Sequence, residues 1–139
     1  MHDEEFRAGC VEQAHAIEEG ASLTRKITGR FFQLDCRCHR APRTGMIVGT
    51  CAIGAALIGK QGTRDYARLQ RVRIFPLFPA LYEIVAWPDG IEAEPCNLFR
   101  VICGLNDGVQ SEPWTREAIG VWLRTARRAP VCPDPTMGE

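Results

Sequence analysis

Cys36, Cys38 and His39 form the one local grouping in the sequence that could bind a soft metal ion. Thiolates and imidazoles are the usual ligands of zinc, so a zinc-supported structural domain is one alternative for this chain. The spacing is unfavourable, because structural zinc sites normally place two residues between paired cysteines and need a fourth ligand. No second cysteine pair accompanies this one. We therefore predict neither a bound metal nor another cofactor.

Nucleophilic catalysis requires a cysteine or serine beside a base that a third group orients. The chain has three histidines, and the best-placed pair is Cys10 with His15 on one predicted helix. Five residues separate them, which places them on different helix faces. The sequence also lacks a nucleophile elbow, a phosphate-binding glycine loop and a dinucleotide fingerprint. We therefore predict a protein that acts by binding rather than by turnover.

The basic residues are concentrated in the middle of the chain. Residues 20–73 contain eleven basic side chains against two acidic ones, a net charge of +9, although the whole chain has a formal net charge of zero. Acidic helices on either side could neutralise this block internally, or the block could meet an anionic partner. We predict that Arg37, Arg40 and Arg43 form a basic surface for a host protein or a nucleoprotein complex.

Binding of a small molecule or a nucleotide is a rival class of function. The anion of such a ligand would be held in a cleft by basic side chains, for which the candidates are Arg25, Lys26, Arg30 and Arg64. Asp107 is a further candidate, either as a recognition contact or as a loop residue that bonds backbone amides. The loop interpretation is favoured, because Asn106-Asp107-Gly108 has the composition that turns select, with Asn106 or Gly108 ending a helix.

Helical periodicity dominates the predicted fold. Leu98 to Arg128 is predicted to form two helices joined by a polar loop, with Thr115 as the N-cap of the second. Asp3 to Glu19 predicts an N-terminal helix that stops at Gly20. Thr50 to Gly59 predicts a central helix whose small side chains let a neighbouring helix approach closely. We expect the C-terminal helix pair to close on that central helix.

Shorter elements are predicted between these helices. Phe31 to Asp35 and Gly45 to Val48 are expected to pair as a small hairpin. A short helix capped by Ser22 is expected before Gly29, and another helix is expected from Pro79 to Val85. Arginines are expected to line the last helix, at Arg116, Arg124, Arg127 and Arg128. The predicted fold class is mainly α, an α+β domain with a minor sheet.

The chain is predicted to form one domain over residues 1–128, followed by a disordered, proline-rich tail at 129–139. Its longest apolar run, Cys51 to Ile58, is too short to span a membrane. The acidic N-terminal sequence has no secretory signal pattern, and the number of cysteines, seven, is odd. We therefore expect reduced thiols and a cytoplasmic location.

The chain resembles a group of small uncharacterised proteins from bacteria and their phages over most of residues 5–125. The resemblance lies in an N-terminal helix and in several motifs. They are Gly29-Arg30-Phe31-Phe32, Cys51-Ala52-Ile53-Gly54-Ala55-Ala56, Leu105-Asn106-Asp107, and Trp114-Thr115-Arg116-Glu117-Ala118-Ile119 followed by Trp122-Leu123. The resemblance implies a fold and a phage or mobile-element origin, but no activity. The chain departs from the group in two places. Group members often have glutamine at the position of Ala118, and several have a pair similar to Cys-Pro-x-x-Cys in the region where this chain has the lone Cys96.

Overall fold

The computed structural model of the chain describes residues 1–35 and 45–130. The α-helices in these ranges are α1 (Asp3–Leu23), α2 (Ala52–Gln61), α3 (Tyr66–Leu69), α4 (Ile74–Leu77), α5 (Leu98–Asp107) and α6 (Arg116–Leu123), and a 3₁₀ helix covers Pro79–Tyr82. The strands are β1 (Arg25–Lys26), β2 (Phe32–Leu34), β3 (Ile47–Thr50), β4 (Ile84–Val85) and β5 (Cys96–Asn97). The predicted fold class, a mainly helical α+β domain with a minor sheet, is confirmed.

The strands form two small sheets. In the first, β3 lies between its neighbours, parallel to β1 and antiparallel to β2. Phe32 lies opposite Thr50 and Leu34 lies opposite Ile47, which confirms the predicted antiparallel pairing of these two segments. The second sheet pairs β4 with β5 in antiparallel fashion.

Helices α1 and α2 pack at backbone-to-backbone distance through small residues. A Cβ atom built on Gly20 would lie 1.8 Å from the carbonyl oxygen of Ala55, and one built on Gly59 would lie 2.0 Å from that of Ala16. Both separations are far below van der Waals contact, so only glycine fits at these two positions. The predicted close approach of a neighbouring helix to α2 is therefore confirmed, and the neighbour is α1.

Two predictions for the segment after Glu19 are wrong. Helix α1 does not stop at Gly20 but continues to Leu23, because the missing side chain of Gly20 makes room for α2 and does not serve as a stop. The next residues form β1 in place of the expected short helix. Pairing with β3 supplies their backbone partners, as when the amide of Ile27 donates to the carbonyl of Thr50 at 3.0 Å.

The C-terminal helices have the predicted caps, and α5 contacts α2 as predicted, but the pair as a whole does not close on α2. Helix α5 ends at Gly108, which has a left-handed backbone (φ 78°), and Thr115 caps α6 by accepting from the amide of Ala118 at 3.0 Å. Helix α1, rather than this helix pair, covers most of α2, and α6 packs against α1.

The predicted helix from Pro79 to Val85 is also wrong. It is a single 3₁₀ turn followed by β4, because Ile84 is exposed and its carbonyl accepts from Ala129.

Candidate binding surface

Asn106 joins α5 to the start of α2. Its side chain is fully buried, with Oδ1 accepting from the amide of Ala52 and Nδ2 donating to the carbonyl of Ile27, each at 3.0 Å. The neighbouring carboxylate of Asp107 accepts from the backbone amide of Gly29, also at 3.0 Å. The Leu-Asn-Asp motif therefore holds three separate segments together, which agrees with the predicted role of Asp107 in bonding backbone amides.

The glycine-aromatic motif is pressed against the same end of α2. The carbonyl of Phe31 accepts from the amide of Cys51 at 3.2 Å, and a Cβ atom on Gly54 would lie 2.2 Å from that carbonyl oxygen. With its backbone fixed in this way, Phe31 keeps its ring at the surface, where 38% of the residue is exposed. The ring meets Phe99 of α5 edge to face, with the centroids 6.0 Å apart.

Arg116 lies on the last helix, as expected, and is a structural residue. It is 5% exposed and reaches across to the end of α1. One terminal nitrogen donates to the hydroxyls of Thr24 and Thr50 at 2.8 and 2.9 Å, and the other donates to the carbonyls of Ala21 and Thr24 at 3.2 and 2.6 Å. Burial lowers the pKa of this guanidinium from its ordinary value. The carbonyls left open at the end of α1 are the physical reason for its position.

A small cavity of about 100 Å³ lies where these segments meet. Arg30 and Asp107, two of the residues singled out from the sequence, both line it, together with the thiols of Cys51 and Cys103. Burial raises the pKa of Cys103 to about 12, and burial also raises the pKa of Cys51. Both thiols are therefore protonated at neutral pH and are weak nucleophiles.

A wider groove of about 670 Å³ follows the outer side of α5 and shares Cys103 and Asp107 with the cavity. Aromatic and charged residues line it, including Trp87, Phe99 and Arg100. The indole of Trp87 lies over Gly104, where an added Cβ atom would come within 2.7 Å of the ring, and its N–H donates to the carbonyl of Glu94 at 2.9 Å. These contacts fix the wall of the groove in place.

Six exposed or half-buried aromatic side chains form a continuous row of ring contacts, which we name the aromatic belt. In order they are Tyr82, Phe75, Phe99, Phe31, Phe32 and Tyr66, with neighbouring ring centroids between 4.4 and 6.4 Å apart. Tyr82 is 62% exposed, whereas the two phenylalanines outside the belt, Phe6 and Phe78, are buried. Sequence analysis missed the belt, because its rings come from five separate segments and show no common spacing.

Three arginines that are close to belt phenylalanines in the chain are named the belt arginines: Arg30, Arg73 and Arg100. Each is exposed and stands within two residues of a belt phenylalanine along the chain. Arg30 lines the cavity together with Phe31, and Arg100 lines the groove together with Phe99. Within residues 1–35 and 45–130, no hydrogen bond or ion pair is formed by these three guanidiniums.

Other arginines are held by internal partners. Arg124 is paired with Glu18. Arg128 is paired with Asp3 and, at 3.2 Å, with Glu83. The contrast separates arginines that stabilise the fold from the belt arginines, which face solvent.

The remaining sequence candidates for anion binding do not line the cavity. Arg25 donates to the side chain of Gln33 at 2.8 Å, and Lys26 donates to the carbonyl of Trp114 at 2.7 Å. Arg64 donates to the carbonyl of Leu23 at 3.3 Å, near the end of α1. In the described part of the chain, Arg30 is thus the one member of that predicted set found in the cavity.

Two predicted sites fall outside the described residues: the arginines Arg37, Arg40 and Arg43, and the metal candidates Cys36, Cys38 and His39. Among the residues that are described, no group of three or more His, Cys, Asp or Glu side chains is arranged to hold a metal ion. No helix in the same residues has the length and apolar character needed to cross a membrane.

Comparisons with known proteins add no relative. No protein-family model matches the chain, and neither a curated protein nor a solved structure matches it. The function must therefore be argued from the chemistry of the aromatic belt, the belt arginines and the adjoining groove.

Proposed function

We propose that this protein is a non-enzymatic accessory protein of a phage or mobile element that binds an anionic host macromolecule. Its binding surface is the aromatic belt with the belt arginines, and a cytoplasmic location is part of the proposal. The observation that carries it is the exposure of three guanidiniums that have no hydrogen-bond or ion-pair partner among the described residues and are close in the chain to belt phenylalanines. Aromatic residues and arginine are the side chains most enriched where proteins bind partners tightly.

Binding rather than turnover is favoured by the state of the nucleophiles. Burial raises the pKa of Cys10 to about 12, as it does for Cys103. Such thiols do not ionise near neutral pH, so they lack the reactivity that covalent catalysis needs. His15, the candidate base, lies on the exposed side of α1 and pairs with Glu19 at 3.0 Å.

Charge complementarity supports an anionic partner. Arg30 and Arg73 belong to the basic block at residues 20–73, which has a net charge of +9. The predicted surface at Arg37, Arg40 and Arg43 belongs to the same block but lies outside the described residues, so the proposal depends on the belt arginines. Unpaired surface cations attract polyanions over about a Debye length and raise their association rate.

Retention on immobilised heparin, a polyanion without bases, tests this function. The variant Arg30→Gln/Arg73→Gln/Arg100→Gln should elute at a clearly lower salt concentration than the unmodified protein. The matched control Arg25→Gln/Arg124→Gln/Arg127→Gln removes the same net charge from elsewhere and should elute later than the belt variant. Equal elution of the two triple variants would show that net charge, and not this surface, determines binding.

A small anionic ligand is the second candidate, because the cavity and the groove bring Arg30 and Arg100 to either side of Asp107. The groove volume of about 670 Å³ lies within the range of small-molecule sites. A nucleotide that binds there raises the melting temperature by an amount that grows with the logarithm of its concentration above Kd. Thermal-shift measurements with nucleotides distinguish this candidate, since Arg30→Gln should abolish the shift and Arg124→Gln should not.

A further inference from the structure

We infer, resting on the proposed function, that the partner is a single-stranded nucleic acid. Its bases stack on the exposed rings of the aromatic belt, and its phosphates are neutralised by the belt arginines. Single-strand binding proteins combine these two features, and they do so without strong sequence preference, because every base offers a π-face. The inference thus assigns a chemical class of ligand to the surface already described.

Two belt rings, Tyr82 and Phe31, are suited to stacking because they are exposed and the two rings between them are supported. Tyr82 is 62% exposed and Phe31 is 38% exposed. Between them, Phe75 and Phe99 are half-buried and packed against the hydrophobic core, with their centroids 5.2 Å apart. An exposed ring held from behind loses little conformational entropy when a base covers it, so its stacking energy is retained.

The arginines are suited to phosphate because two of them share a concave surface with a belt ring. Arg30 lines the cavity with Phe31, and Arg100 lines the groove with Phe99. Planar guanidiniums bind phosphate oxygens in bidentate fashion and also stack on bases. A nucleic acid strand presents both a base and a phosphate at every step, so one strand can contact rings and cations on the same surface.

Two other polyanions fit the surface less well. A double helix hides the faces of its bases, so it could reach the arginines but not the rings. An acidic peptide would satisfy the arginines but has few apolar groups to cover Phe31 and Tyr82. Single strands alone satisfy both kinds of side chain, and this difference makes the inference testable.

Fluorescence anisotropy with a labelled thymidine 20-mer, which does not fold on itself, measures the interaction. If the three belt arginines neutralise about three phosphates, the affinity should fall about twentyfold between 50 and 200 mM salt. Phe31→Leu and Tyr82→Leu retain apolar side chains but remove the ring. Each should weaken binding by about 5- to 150-fold, the range measured when single-strand stacking residues are lost.

Controls separate stacking from general effects. Val121→Ala changes an exposed apolar residue on α6, and Arg124→Gln changes an arginine that pairs with Glu18. Neither should alter the affinity for the 20-mer. Circular dichroism of each variant at the assay temperature confirms that it is folded, and a duplex of the same length should bind at least tenfold more weakly.

The outcomes distinguish the inference from the function on which it rests. Binding of the 20-mer that depends on Phe31 and Tyr82 supports both. If the 20-mer does not bind, or binds equally well after Phe31→Leu and Tyr82→Leu, the inference is refuted. The proposed function survives that result if the belt-arginine variant still elutes early from heparin, because the partner is then an acidic protein or another polyanion. The proposed function is itself refuted if the two triple variants elute from heparin at the same salt concentration.

Discussion

Replacing Arg116 with methionine should destabilise the protein by about 2 to 4 kcal/mol. The substitution removes donors to two carbonyl oxygens, those of Ala21 and Thr24, and to two hydroxyls. The hydroxyls of Thr24 and Thr50 lie 3.0 Å apart and can bond to each other, so they keep a partner. The loss is therefore concentrated on the carbonyls, at about 1 to 3 kcal/mol for each buried acceptor left without a donor. Methionine also removes the desolvation cost of the buried guanidinium, which offsets part of this loss of stability.

Urea denaturation followed by far-ultraviolet circular dichroism measures this change in the free energy of unfolding. The control is Arg124→Met, which removes an exposed pair with Glu18 and should therefore cost clearly less than Arg116→Met. Arg116→Lys keeps the positive charge but loses the planar fork, so it should recover less than half of the stability. If Arg116→Met and Arg124→Met unfold at the same urea concentration, the view that Arg116 closes the end of α1 is wrong.

Three further predictions concern packing and ionisation. Gly20→Ala should cost at least about 2 kcal/mol in urea denaturation, because its Cβ atom would lie 1.8 Å from the carbonyl oxygen of Ala55. Gln13→Met should raise the melting temperature, equivalent to about 1 kcal/mol, because both polar atoms of this buried amide lack partners among the described residues. Burial raises the pKa of Cys10 and Cys103 to about 12, so these thiols ionise first in the unfolded chain. The free energy of unfolding should therefore fall between pH 9 and pH 12 by up to about 1.4 kcal/mol per pH unit for each thiol. The variant Cys10→Ala/Cys103→Ala should reduce that slope under reducing conditions.

Each of these predictions has a matched comparison. Gly62→Ala introduces a Cβ atom with no atom within 4 Å, so only its left-handed backbone opposes the change, at about 1 kcal/mol. A loss for Gly20→Ala no larger than this would contradict the packing argument. Gln110→Met, at an exposed position, should leave stability nearly unchanged. For the thiols, the double variant should have the same pH dependence as the unmodified protein between pH 6 and pH 8.

Local patterns in the sequence predicted the elements whose stability is local. The apolar repeat of α5, the cap at Thr115 and the small residues of α2 were all readable from spacing and residue type. The wrong predictions fall where distant residues decide the structure. Residues 25–26 extend because β3 pairs with them, and Gly20 remains helical because α2 needs its space.

The candidate surface was predictable only in part, for the same reason. Sequence reasoning selected Arg30 and Asp107, which do line one cavity, since charge and turn composition are visible in a short window. It could not separate Arg30 from Arg25, Lys26 and Arg64, because the partners that occupy those three side chains come from other segments. The aromatic belt depends wholly on tertiary structure.

The reach of Arg116 across the molecule sets a condition on synthesis. Its carbonyl partners on Ala21 and Thr24 precede it by 95 and 92 residues. At about 5 to 20 residues per second, a ribosome needs roughly 5 to 20 seconds to travel that distance. During this interval the first helix has emerged with its end unsealed, so a nascent chain that stalls before residue 116 exposes that end to proteases and chaperones. Closure of the end of α1 thus waits for the synthesis of α6.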